Sequence, residues 1–219
     1  MKVMRGCVFA VAAAMSLSTM QAAVRAPAVP LVSVEPHFSV WSAADRLYDA
    51  DTTHWTGAKQ PLTVVLEADG KTYRLCGRGS GRIFELPVLP QTSCRIGATV
   101  TSYVFSDGKG LSVEMDFMTP RLTDDLDVFS RPVAYITVRV KGAEEYAVKA
   151  SITGAWATDD DGAKMLWTTN TVAGVRDVSV GRSVQKPFSV RGDYKRANWG
   201  RIHLAGPVAA DKNTTRFLL

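Results

Sequence analysis

Two Asp-Gly pairs constrain this chain more than any other feature in it. Asp69-Gly70 separates Leu62–Ala68 from Lys71–Leu75, and Asp107-Gly108 separates Thr99–Ser106 from Leu111–Phe117. Each pair divides two strand-length runs, the strongest short-range signal for a β-hairpin. A two-residue type I′ turn needs positive φ at both central positions, which Asp tolerates and Gly accepts freely. Asp69-Gly70 therefore predicts a tight hairpin, and a second hairpin is expected around Asp107-Gly108. In that second unit Leu111, Val113, Met115 and Phe117 alternate with Ser112, Glu114 and Asp116, the period of a half-buried strand. Val133–Lys141 repeats the pattern, with Ala134, Ile136, Val138 and Val140 facing inward.

The rest of the chain agrees. Residues 82–89, Tyr146–Trp156, Met165–Thr169, Val172–Val180 and Trp199–Ala205 read as further strands. No segment after the leader sustains a 3.6-residue period. Short strands divided by Gly, Asp and Pro turns predict an all-β fold, an antiparallel β-sandwich. An extended N-terminal module precedes it, because Pro27, Pro30 and Pro36 forbid a helix there. The division expected is 23–80 for the leading module and 81–219 for the sandwich. The closing run Thr214–Leu219 is apolar and strand-like with no polar tail, so the sandwich is expected to be incomplete.

Lys2 and Arg5 stand before the apolar stretch Val8–Leu17, which falls short of the roughly 20 apolar residues needed to span a bilayer. Residues 1–22 thus read as a signal peptide, cleaved after Ala22 or Ala23. The expected location is the periplasm or the extracellular space, with no membrane association after cleavage. The net charge of +5 is mild, and Lys2 and Arg5 leave with the signal; nucleic acid is not an expected partner. After cleavage two cysteines remain, Cys76 and Cys94. An exported chain with an even count permits a disulfide between them, and two buried free thiols are the alternative. Two cysteines with no Cys-x-x-Cys or His-x-x-His companion do not make a zinc site; no metal or cofactor is expected.

One stretch resists the plain β reading. Phe38–Pro61 places Trp41 and Trp55 around Asp45, Arg46, Asp49, Asp51 and His54, with Gln60 just beyond. It is too aromatic for a solvated loop and too polar for a core strand. Trp41, Asp45, His54, Trp55 and Gln60 are the candidate ligand-binding or interdomain residues; a packed aromatic corner that buries His54 is the plainer alternative. Asp124, Asp125 and Asp127 resemble an acid–base cluster but fit a turn whose aspartates bond the backbone. Asp159–Asp161 run consecutively, unlike the alternate ligands of a calcium loop. Gly77, Gly79 and Gly81 lack the Lys-Ser/Thr pair and helix of a phosphate loop. No Gly-x-Ser-x-Gly elbow or local cysteine-nucleophile signature is present. No catalytic residue is assigned.

The spacing of Pro30, Leu31, Pro36, Phe38, Ser39, Trp41, Ser42, Asp45, Leu47, His54, Trp55, Thr56, Gly57, Gln60, Pro61, Asp69, Gly70 and Tyr73 resembles the N-terminus of the secreted glutaminase A family of fungi and Bacteroidetes-type bacteria. FMTPRLTDDLDVFSRPVAYITVRV, GAWAT and NWGRIHLA resemble that family's sandwich. Leu75-Cys76-Gly77 departs from the Phe-Met-Gly-like triplet of many relatives. The resemblance implies a leading domain of unknown function, then a β-sandwich, with hydrolysis carried by a helical toroid that no residue here matches. It implies glutamine deamidation for some members, and the plan is also similar to that of carbohydrate-active enzymes.

Two functions follow as expectations. The chain is the non-catalytic N-terminal portion of an exported glutaminase A-like hydrolase, its partner the missing C-terminal helical domain of the same polypeptide. Alternatively it is a free-standing secreted sandwich that binds a small polar ligand, glycan or peptide through Trp41, Trp55 or Trp199. A small complete hydrolase built on Asp124–Asp127 is the weakest reading, because no base, nucleophile and orienter converge.

Overall fold

The computed structural model describes residues 26–158 and 212–219, together with strand backbone at 164–172, 175–181, 190–196 and 202–203. The leader, Asp159–Asp161 and Trp199 lie outside the described residues. Three short strands, β1 (Val29–Ser33), β2 (Ser39–Ser42) and β3 (Thr53–His54), form an antiparallel sheet in that order. Next come β4 (Leu62–Ala68) and β5 (Lys71–Cys76), then β6 (Gln91–Ile96), β7 (Val100–Ser106) and β8 (Ser112–Met118). An excursion carrying the one-turn helix α1 (Leu126–Phe129) leads to β9 (Tyr135–Lys141) and β10 (Tyr146–Ile152). After these, β11 (Lys164–Val172), β12 (Val175–Gly181) and β13 (Val190–Arg196) make a separate sheet, and β14 (Ile202–His203) and β15 (Thr214–Leu218) complete the order.

Two of these sheets make the sandwich. One has the order β14-β10-β4-β5 and the other β15-β9-β8-β7-β6, and every pairing in them is antiparallel. Leu62, Val64, Leu66 and Leu75 of the first and Phe105, Val113, Met115, Phe117, Ile136 and Val138 of the second are essentially solvent-free and belong to one core cluster. Burying such side chains is worth roughly 1.5–3 kcal/mol each, which is what holds the two layers face to face. Pairing of β4 with β10 runs from Ala68↔Tyr146 to Leu62↔Ile152. The first sheet thus crosses the division expected at residue 80.

The first hairpin turns as its residues dictate, with φ of 47° at Asp69 and 73° at Gly70. The second pairs in the expected strands but closes through a longer loop. There Asp107 Oδ1 accepts from the amides of Lys109 (2.8 Å) and Leu111 (3.1 Å), and positive φ falls on Gly108 and Gly110 instead. Three expectations need correction. Residues 82–89 do not form a strand: a 3₁₀ turn at Gly81–Ile83 is followed by irregular chain, and Val88 makes only an isolated bridge to Arg74. Pro87 removes a donor within that stretch and Pro90 the one just after it, so a continuous ladder is interrupted. The strand expected over Tyr146–Trp156 ends at Ile152, and Trp156 rides on a 3₁₀ turn, Gly154–Ala157. Cys76 and Cys94 are not bridged. Cys76 points into the core, where its thiol donates to Leu62 O, whereas Cys94 is exposed on a strand of the other sheet.

Candidate functional site

The polar residues of Phe38–Pro61 are used to fasten the leading sheet to the sandwich. Thr52 is the innermost: its hydroxyl donates to Gln60 O (2.6 Å) and accepts from the Leu62 amide (2.8 Å), and the residue is 1% exposed. Gln60 N donates back to Thr52 O. This pair locks the entry into β4. Gln60 itself is buried, and its Oε1 has no hydrogen-bond partner among the described residues. Farther along, Gln91 Oε1 accepts from the Leu47 amide (2.8 Å), and Gln91 Nε2 donates to Asp45 O (3.4 Å). Asp45 thus contributes its carbonyl here, while its position on the surface is exposed. Asp51 Oδ1 accepts from the Gly79 amide.

A buried guanidinium completes the fastening. Arg74 Nη1 donates to the carbonyls of Tyr48 (3.1 Å), Gly77 (3.1 Å) and Arg78. The Phe84 ring lies near both the Arg74 and Arg78 guanidinium groups, a favourable placement for cations. Gly77 has a φ of 73°, and a Cβ there would meet Leu62 O at 2.1 Å, so only glycine fits. Gly77 is therefore a packing device, whereas a Cβ at Gly81 would meet open space. Burial first, and the negative charge of Asp51 second, push the neighbouring Cys76 thiol well above its ordinary value. It is an inert core thiol.

The aromatic residues of the stretch divide by face. Trp41, half-buried on β2, donates from Nε1 to Ser39 Oγ (2.6 Å). Phe38 meets Trp156 edge to face at 6.0 Å, and Trp156 Nε1 donates to Pro61 O. His54 and Trp55 share one acceptor: His54 Nε2 donates to Pro36 O at 2.7 Å and Trp55 Nε1 to the same oxygen at 2.8 Å. The Thr56 amide donates to His54 Nδ1, so the proton sits on Nε2. With both ring nitrogens occupied, His54 is placed to hold Trp55, a residue 61% exposed. The five candidate residues are therefore not gathered into one pocket. His54 and Trp55 form an outward plate; Gln60 is interior; Trp41 bonds nearby Ser39, and Asp45 lends its carbonyl to Gln91.

The aspartate cluster is a helix start. Asp125 Oδ1 accepts from the Val128 amide (3.0 Å), an N-cap for α1. Arg121 nearby donates to the carbonyls of Ser33 and Val34 (2.8 Å for the latter) and lies over the Phe129 ring. Among the described residues no three His, Cys, Asp or Glu side chains converge as a metal site would require, and no helix is long and apolar enough to cross a membrane. Thr52, Arg74, Gln91 and Trp156 were not distinguished by their sequence context. Thr52 bonds residues 8 and 10 positions on, and the other three reach farther, up to Trp156 and Pro61 across 95 positions; no local pattern marks such contacts.

Comparison with known proteins places this geometry. Residues 1–84 match the family described as domain of unknown function DUF4964, and residues 99–217 match the one described as domain of unknown function DUF5127. A probable glutaminase of Arthroderma benhamiae is 26% identical over 201 residues, covering 82% of this chain and 23% of its own length. Glutaminase A of Aspergillus oryzae is 28% identical over 193 residues, covering 83% of this chain and 27% of its own length. The chain spans about a quarter of the length of the curated relatives it matches. Together these findings identify a glutaminase A-like N-terminal region.

Proposed function

The chain belongs to the DUF5127 family, and from that premise we propose that it is the supporting front part of an exported glutaminase A-like hydrolase. In this reading the sandwich and its fastened leading sheet form a rigid base. Hydrolysis is carried by polypeptide beyond these residues. One observation carries the proposal: two glutaminases align with more than four fifths of this chain, yet that alignment uses only about a quarter of either enzyme. The site geometry fits a base, since the Thr52, His54, Trp55 and Asp51 side chains of Phe38–Pro61 all bond backbone groups. The leader Lys2–Ala22 supports export to the periplasm or beyond.

Ammonia release from glutamine tests it. The 219-residue chain should give no release above the uncatalysed background, while a polypeptide extended through its downstream reading frame should hydrolyse glutamine. Catalysis by the 219-residue chain alone would remove the proposal.

The exposed, hydrogen-bonded indole of Trp55 favours a second reading, a secreted sandwich that stacks a glycan or peptide on the His54–Trp55 plate. Tryptophan fluorescence titrated with a polysaccharide panel should then change, and Trp55→Ala should abolish the change. A flat response across the panel would dismiss this reading.

A further inference from the structure

The outer face of the five-stranded sheet is polar along most of its length. Directly paired residues share a face, so Ser102, Asp116, Thr137 and Arg216 form one outward row across β7, β8, β9 and β15. On the neighbouring row Arg139 pairs with Glu114, and it also reaches Asp116 at 2.5 Å. At the end of the sheet the character changes. Val100, Met118, Tyr135 and Leu218 stand opposite one another on the same four strands. They point away from the core side chains Phe117, Ile136 and Phe217, and Leu218 is 45% exposed. This is an apolar row where an outward sheet face is ordinarily polar.

The excursion between β8 and β9 leaves from Met118 and returns at Tyr135, so it belongs to the same end. It presents Leu122 and Leu126, the latter 75% exposed, with Phe129 one helical turn on. Its position is set by bonds from Arg121 to Ser33 and Val34. Leu219 lies here too. Its amide donates to Ala134 O at 2.8 Å, and its carbonyl accepts from the Ala134 amide at 3.1 Å. Residue 219 is thus held beside the start of β9, next to the apolar row and the excursion.

We propose that this corner is the seat of the polypeptide that follows Leu219, which packs an apolar face on Met118, Tyr135, Leu218, Leu122 and Leu126. The assignment rests on the reading of the chain as the front of a longer hydrolase. Two features choose this occupant: residue 219 is pinned at the corner, and the relatives are about four times longer than the part they share with this chain. A segment beginning there reaches the row without a linker.

Amide hydrogen exchange compares the 219-residue chain with the same chain extended through its downstream reading frame. Amides of residues 122–131 should exchange about tenfold more slowly, or slower still, in the longer polypeptide. Leu126→Asp should restore the faster exchange there without lowering the melting temperature of the shorter chain. If 122–131 is unchanged while another surface such as 54–58 slows, the seat is wrong and the longer-hydrolase reading stands. If 122–131 is protected in the shorter chain and loses protection on dilution, a second copy is the occupant and the proposal falls. If a stop codon follows Leu219, both fall.

Discussion

Replacing Thr52 by valine isolates the junction on which the leading sheet depends. Valine keeps the branched shape and sets a methyl where the hydroxyl was, so no cavity opens and the hydrogen-bonding capacity is what is lost. In the structure that hydroxyl donates to Gln60 O at 2.6 Å and accepts from the Leu62 amide at 2.8 Å, in a position 1% exposed. Removing it leaves two backbone groups without that partner in a place water reaches poorly. An unsatisfied buried group costs about 1–3 kcal/mol, so the pair together should cost about 3 kcal/mol. For a domain of this size, that corresponds to a melting-temperature loss of about 6–12 °C. Urea unfolding followed by circular dichroism reads the stability change, and hydrogen exchange at the Leu62 amide reads its place. Thr99→Val, at an exposed site, serves as the control and should change stability by less than about 0.5 kcal/mol. A Thr52→Val loss no larger than the control's, with Leu62 exchange unaltered, would refute the role given to this hydroxyl.

Three further expectations can be measured. Gly77→Ala should destabilise well beyond Gly70→Ala in urea unfolding: both glycines have a φ of 73°, but only at Gly77 does the new Cβ meet backbone, Leu62 O at 2.1 Å; equal losses would contradict the close approach. The raised pKa of Cys76 means that above its ordinary value of 9.0 the unfolded chain releases the thiol proton while the folded chain keeps it. Its contribution to stability is therefore present below that pH and declines as pH rises, by at most about 1.4 kcal/mol per pH unit; Cys76→Ala should flatten that part of the stability–pH curve, and an unchanged slope would count against a buried thiol. N-terminal sequencing of protein exported by a bacterial host should begin at Ala23 or Val24, whereas an intact Met1 would remove the signal-peptide reading.

What the sequence disclosed was local. The Asp69-Gly70 turn, the inward set Leu111, Val113, Met115 and Phe117, and the set Ala134, Ile136, Val138 and Val140 depend on near neighbours and a period of two, and the fold follows them. Residues 82–89 misled because apolar content alone resembles a strand, while Pro87 and Pro90 withhold the donors a ladder needs. The hairpin around Asp107-Gly108 was legible from its flanking strands, but its loop geometry was not, because Asp107 spends its carboxylate on the Lys109 and Leu111 amides. The candidate site was legible as a stretch and not as a set of roles. Arg74 looks like one more solvated strand cation until Tyr48, Gly77 and Arg78 are folded around it. His54 suggested ligand chemistry, and only the placement of Pro36 O reveals that it shares an acceptor with Trp55. Contacts of this kind depend on residues that approach only after the sheets have formed.

The measurement nearest the central claim is to read the source DNA past the codon for Leu219. The account predicts an open frame that continues for several hundred codons, on the scale of the curated relatives, into a region with helical periodicity. A stop codon directly after Leu219 would contradict it, leaving the exposed Trp55 plate as the feature to explain.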